Sequence, residues 1–82
     1  MKSLAEYRKE QNLSQIELSI ALKKEFINVS PASIAMYEIG RRTPPLKKAQ
    51  AIAKFFGVGT DDIFFGINAH IEKAEEKSTS TD

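Results

Sequence analysis

The chain has 82 residues, with 12 Lys and Arg against 11 Asp and Glu, 41% hydrophobic residues and no cysteine. That describes one domain with a small core. It excludes disulfides and thiol chemistry and suits a cytoplasmic protein. The opening MKSLAEYRKEQ is charged and amphipathic, unlike a secretory leader, and the longest apolar runs fall far short of a membrane span. Residues 1–66 hold ten Lys and Arg against seven carboxylates, and residues 67–82 hold two lysines against four. A mildly basic body is thus followed by a mildly acidic tail. So small a charge can serve a polyanionic ligand only if it is grouped on one face.

Ser3 with Glu6 three residues later has capping-box spacing and predicts a first helix carrying Leu4 and Tyr7 inward, with Arg8, Lys9 and Glu10 facing water. Asn12 tolerates left-handed dihedrals and marks the stop. Ser14 and Glu17 repeat the capping box for a second helix, with Leu13 poised to staple onto the face of Leu18 and Leu22. Ile16 and Ile20 lie on a different face of that helix. The expectation is that Phe26 or Ile27, from the segment after Lys23-Lys24-Glu25, covers them. If both stay exposed, they suit a dimer contact better.

Ser30-Pro31 is the strongest helix start in the chain: serine caps, and proline fits the first helical position, where its missing N–H is no loss. The short third helix turns Ile34 and Tyr37 inward and ends at Gly40. Arg41-Arg42-Thr43-Pro44-Pro45 is a loop, because two prolines block continuation. A fourth helix is predicted from about Pro45 to Phe56, with Leu46, Ala49, Ile52, Ala53 and Phe56 on its apolar side and Gly57 closing it. A fifth is predicted with Thr60 as cap, Asp61 and Asp62 in the first turn, and Ile63, Phe64 and Ile67 packed inward. No stretch reads as a strand. The expected organisation is an all-α, compact five-helix domain over residues 1–66, then a tail, 67–82, partly helical and finally disordered.

The segments LSQIEL, VSPASIAMYEIGRRTPP and AIAKFFGVGTDDIF, in that order, resemble the Cro and phage-repressor type of helix-turn-helix domain, the lambda-repressor-like or XRE-like family. The resemblance covers roughly residues 3–65. One departure is clear: KKEFIN stands before Val29-Ser30, where the family usually has a turn of three or four residues.

The resemblance implies a sequence-specific regulator of transcription, a repressor, that binds double-stranded DNA with the helix at 30–39 in the major groove. Gln15 would touch the phosphate backbone and prop that helix. Ser30, Pro31, Ala32, Ser33, Ala35 and Met36 would present its outward side. That set lacks Arg, Lys, Asn and Gln, the side chains that bond purine edges in pairs, so it offers mainly apolar contact to thymine methyl groups. Specificity would then draw on DNA shape and on flanking residues. Packing on the inserted segment is the other use of Ala35 and Met36. Arg41, Arg42 and Thr43 would reach phosphate or the adjacent minor groove. Lys47, and Lys48 beside it, sit at a helix start, where a cation is unfavourable unless an external phosphate faces it. Glu38 reads as structural, bonding an arginine or a backbone N–H.

A homodimer on an inverted repeat follows from how few bases one short helix reads. The region of Phe64, Phe65, Ile67 and Ile71 is the favoured dimer surface, and the isoleucine face of the second helix is the other. A contrasting reading keeps the fold and makes the apolar third helix a docking surface for a partner regulator or toxin. Enzyme chemistry has no support. Asp61 and Asp62 read as capping charges, the one histidine, His70, lies in the tail without a ligand cluster, and no glycine loop cradles phosphate. No metal, cofactor, membrane or small-molecule ligand is expected.

Overall fold

The computed structural model describes residues 1–66. The predicted tail helix of Ile67, Ile71 and Ala74, and the dimer contacts of Ile67 and Ile71, lie outside the described residues.

Strand β1 (Lys2–Ser3) leads directly into helix α1 (Leu4–Glu10), followed by α2 (Gln15–Lys24), α3 (Pro31–Ile39), α4 (Leu46–Phe55), a 3-10 turn (Thr60–Asp62) and strand β2 (Ile63–Phe64). Both expected capping boxes are present. The Ser3 hydroxyl accepts the Glu6 amide at 3.1 Å and the Glu6 carboxylate accepts the Ser3 amide at 2.8 Å. Ser14 and Glu17 repeat this at 3.0 and 2.8 Å. Those reciprocal bonds satisfy two otherwise orphaned donors at each helix start. The Ser3 amide also holds the Glu6 carboxyl below its usual pKa.

Helices α1 and α2 end the same way. Asn12 (φ 58°) and Phe26 (φ 62°) each take the left-handed conformation one residue beyond the helix cap. Their amides donate to Lys9 and Lys23, and the amides of Leu13 and Ile27 donate back to Arg8 and Leu22. This is the Schellman arrangement. It decides what the KKEFIN segment does. Ile27 is folded back against the core, whereas Phe26 is thrown into solvent at 98% exposure. Neither residue covers the outer face of α2: Ile16 remains 61% exposed and Ile20 54%. The expected cover is therefore corrected, and the reason is the turn, which points its one free aromatic away from the helix it ends.

The core is built from Leu4, Leu18, Leu22, Val29, Ile34, Tyr37, Ile52, Ala53 and Ile63. Leu13, Phe55, Phe56, Val58 and Phe65 pack around it. Burying each large aliphatic side chain here contributes about 1.5–3 kcal/mol. Leu46 is exposed, against expectation. It opens the first turn of α4, about 120° around the helix from the buried Ile52.

The structure replaces the fifth helix. Residues Thr60–Asp62 make a single 3-10 turn capped at Gly59 rather than Thr60, with the Gly59 amide 3.3 Å from the Asp62 carboxylate. Ile63 and Phe64 then extend and pair in parallel with Lys2 and Ser3. β-Branched and aromatic side chains favour an extended, half-buried backbone. An edge offered by the first residues of the chain turns that preference into a two-residue ladder. The domain is thus a four-helix fold with one short seam. Tyr7 strengthens the seam: its hydroxyl donates to the Asp62 carbonyl at 2.9 Å, and its ring stacks on Phe56 with centroids 5.6 Å apart. Among the described residues, no helix is long and apolar enough to cross a membrane.

Candidate nucleic-acid interface

Helices α2 and α3 are joined by a six-residue connection, 25–30, that is firmly held. The Ser19 hydroxyl donates to the Val29 carbonyl at 2.6 Å, and the Lys48 ammonium donates to the Asn28 carbonyl at 2.8 Å. The insertion therefore lengthens the link without leaving it loose. Lys48 is engaged inside the domain, while its neighbour Lys47 is exposed.

Helix α3 starts as its sequence predicts. The Ser30 hydroxyl accepts the Ser33 amide at 3.1 Å, and Pro31 takes the first helical position. The two serine hydroxyls are also bonded to each other at 3.1 Å. At the far end Gly40 adopts φ 78°, a conformation natural to glycine. A Cβ there would also lie against the Cα of Gly66, at a contact distance of 3.4 Å. The amides of Arg41 and Arg42 turn back to the Met36 carbonyl at 3.0 and 3.4 Å. The loop thus leaves α3 with both arginines and Thr43 exposed, and among the described residues neither guanidinium joins an ion pair.

The inner side of α3 buries Ile34, Tyr37 and Glu38. Glu38 is 8% exposed and is the hub of a polar junction. Arg8 of α1 donates through Nε to Oε2 at 2.6 Å and through Nη2 to Oε1 at 3.1 Å. Gln15 of α2 donates through Nε2 to Oε1 at 3.0 Å. Arg8 also donates through Nη1 to the Leu13 carbonyl at 2.8 Å. One carboxylate thus fixes three helices at fixed angles, and the two-pronged arginine bond supplies direction as well as attraction. Glu38 does bond an arginine, as expected, but the arginine is Arg8. The expectation that Arg8 faces water is corrected: its guanidinium is drawn inward by Glu38 and the Leu13 carbonyl. The signal available in sequence was only a carboxylate on an otherwise apolar inner stripe.

The outer side of α3 is different in kind. Ala32, Met36 and Ile39 are exposed, and Pro31, Ser33 and Ala35 are half-buried. Ile39, at 49% exposure, was not among the expected interface residues, although its spacing from Ala32 and Met36 puts it on their stripe. Gln15 lies at the first turn of α2, half-buried against Glu38, and the amides of Gln15 and Ile16 have no acceptor within their helix. Arg41, Arg42 and Thr43 in the loop after α3, and Lys47 in the first turn of α4, are all exposed. The expected site residues thus fall on the start of α2, on α3 with its cap, in the loop after it and at the start of α4, and the cations among them lie outside α3.

The helix-turn-helix family profile matches residues 4–63. An uncharacterized HTH-type transcriptional regulator of Methanocaldococcus jannaschii is 47% identical over 58 residues, covering 71% of this chain and 80% of that protein. No solved structure matches. With its capped α2, its Ser-Pro start to α3 and its match over nearly all the described residues, the chain belongs to the helix-turn-helix family of the Cro and phage-repressor type.

Proposed function

We propose that the domain over residues 1–66 is a sequence-specific, double-stranded-DNA-binding repressor of transcription that places α3 in the major groove. The observation that carries this reading is the construction of α3. Its inner face is locked to α1 and α2 through Glu38, and its outer face leaves Ala32, Met36 and Ile39 open to solvent, with Met36 37% and Ile39 49% exposed. A rigid helix held proud of a small domain is what a groove about 12 Å wide admits. Arg41, Arg42 and Thr43 then contact phosphate at one end, and the first-turn amides of α2 with Gln15 do so at the other. Lys47 adds a further cation, and Ser30 to Met36 approach the bases. Family membership supports regulation of transcription. A homodimer on an inverted repeat gives the length of site that one helix lacks. The protein acts in the cytoplasm.

The exposed Ile16, Ile20 and Phe26 favour a second reading, in which α2 docks a protein partner. The two readings separate on salt. Random genomic fragments are incubated with the protein at two ionic strengths, and the retained DNA is sequenced. Enrichment of a short inverted repeat, with retention falling steeply at higher salt, supports the repressor, because each neutralised phosphate releases counterions. Absence of salt-sensitive retention overturns it.

A further inference from the structure

The base-facing chemistry of α3 can be taken further, on the reading just proposed. Glu38, the charged residue of the helix, is buried on the inner side. The outward stripe of Ala32, Met36 and Ile39, flanked by Ala35, carries no nitrogen or oxygen on its side chains. Ser33, the polar neighbour of that stripe, shares its hydroxyl with Ser30. No side chain of this face can therefore make the paired bonds that distinguish guanine or adenine. The major groove offers one hydrocarbon group to such a face, the C5-methyl of thymine. Against guanine or cytosine, the same face would strip water from O6, N7 or N4 and give nothing back. Two alanines allow close approach of the backbone, and the unbranched thioether of Met36 adapts to an irregular apolar surface.

We infer that the outer face of α3 reads thymine methyl groups, so that the half-site is a thymine-rich run selected by hydrocarbon contact and by exclusion of G·C pairs. The cations at the border hold the helix against the backbone and carry no share of this discrimination. The ligand class is thus thymine-bearing duplex DNA, and loss of the methyl alone weakens it.

The test uses the enriched fragment from the selection. Duplexes are made with thymine replaced by deoxyuracil inside the half-site, or outside it as a control, and affinity is measured by fluorescence anisotropy at one salt concentration. Uracil keeps every groove hydrogen bond of thymine and lacks only the methyl. The expected loss is about fourfold for each buried methyl, and none for the outside control. Met36→Ala combined with Ile39→Ala brings the thymine-to-uracil ratio toward one and leaves the salt slope unchanged. Both positions are exposed, and a thermal melt checks that the variant is folded. Specific binding that is indifferent to uracil overturns the inference while leaving DNA binding intact, and would assign readout to a group off the helix such as the exposed amide of Asn28. Failure to retain any DNA overturns the underlying reading instead.

Discussion

The two faces of α3 invert the usual arrangement of a surface helix. Its inward side carries the charge, in the form of Glu38, and its outward side carries Ala32, Met36 and Ile39. The inward carboxylate is affordable because Arg8 and Gln15 fill its acceptor sites in fixed geometry. The outward hydrocarbon is only partly covered by the isolated fold. The difference separates two tasks along one helix: the inner side, Ile34 and Tyr37 with Glu38, anchors the helix and sets its angle, and the outer side is available to something outside the chain. Mutations on the two faces should therefore register in different measurements.

The largest effect belongs to the inner face. Glu38→Ala leaves the Arg8 guanidinium half-buried without its partner. The expected loss is about 3 kcal/mol of folding stability, read from urea unfolding. That is a large share of the roughly 5–15 kcal/mol available to a domain of this kind. A loss under about 1 kcal/mol would mean that the junction does not fix the helices. Arg8→Lys tests direction rather than charge and should fall between wild type and Glu38→Ala, because an ammonium cannot reproduce the two-pronged bond.

Met36→Ala with Ile39→Ala is the counterpart on the outer face. Stability should stay within about 0.5 kcal/mol of the parent, while DNA affinity drops roughly tenfold, about 1.4 kcal/mol. If urea unfolding shifts by several times that limit, the outer face is part of the core and the contrast disappears. At the border, Arg41→Ala should lower the salt slope of binding by about 0.9 and weaken specific and non-specific DNA alike. A selective loss on one sequence would make Arg41 a base reader.

The smallest effect sharpens the comparison by moving off α3. Phe26→Gly relieves a bulky residue from a left-handed backbone and should raise stability by about 1 kcal/mol. Asn12→Gly, at the matching position after α1, should gain less, since asparagine tolerates that conformation. Unfolding midpoints for the pair check the order. Equal gains would show that Phe26 carries no unusual strain.

Much of this architecture was legible because it is local. Ser3 with Glu6, Ser14 with Glu17, Ser30 with Pro31, and Asn12 and Gly40 at helix ends act within a few residues of themselves, so the helices could be placed from short windows. The parts that were not legible depend on distance along the chain or on angular position. Arg8 meets a carboxylate 30 residues away, and nothing near it announces that. Ile63 and Phe64 have helical neighbours in sequence, but a strand partner at the opposite end of the domain. Leu46 keeps three-residue spacing with Ala49 but lies about 120° around α4 from Ile52, and it is exposed. Phe26 and Ile27 are adjacent apolar residues, and only the handedness of the turn decides which is buried. On α3, helical spacing alone placed Ala32 and Met36 on the exposed side. The same spacing contains Ile39, which is also exposed.

The seam between Lys2–Ser3 and Ile63–Phe64 has a consequence for the order in which the chain assembles. Its pairing closes a loop of nearly the whole domain, whereas the caps and the α2–α3 junction form between near neighbours. Closure of so long a loop carries the larger entropy loss, and it gains a ladder of two residue pairs, the Tyr7–Asp62 bond and burial of Ile63. The seam should therefore zip last on folding and unzip first, with its amides exchanging with solvent through openings that leave α2 and α3 intact. Removing the first three residues would delete one strand and the cap of α1 together, so the start of the chain works as a fastener for the rest of the domain.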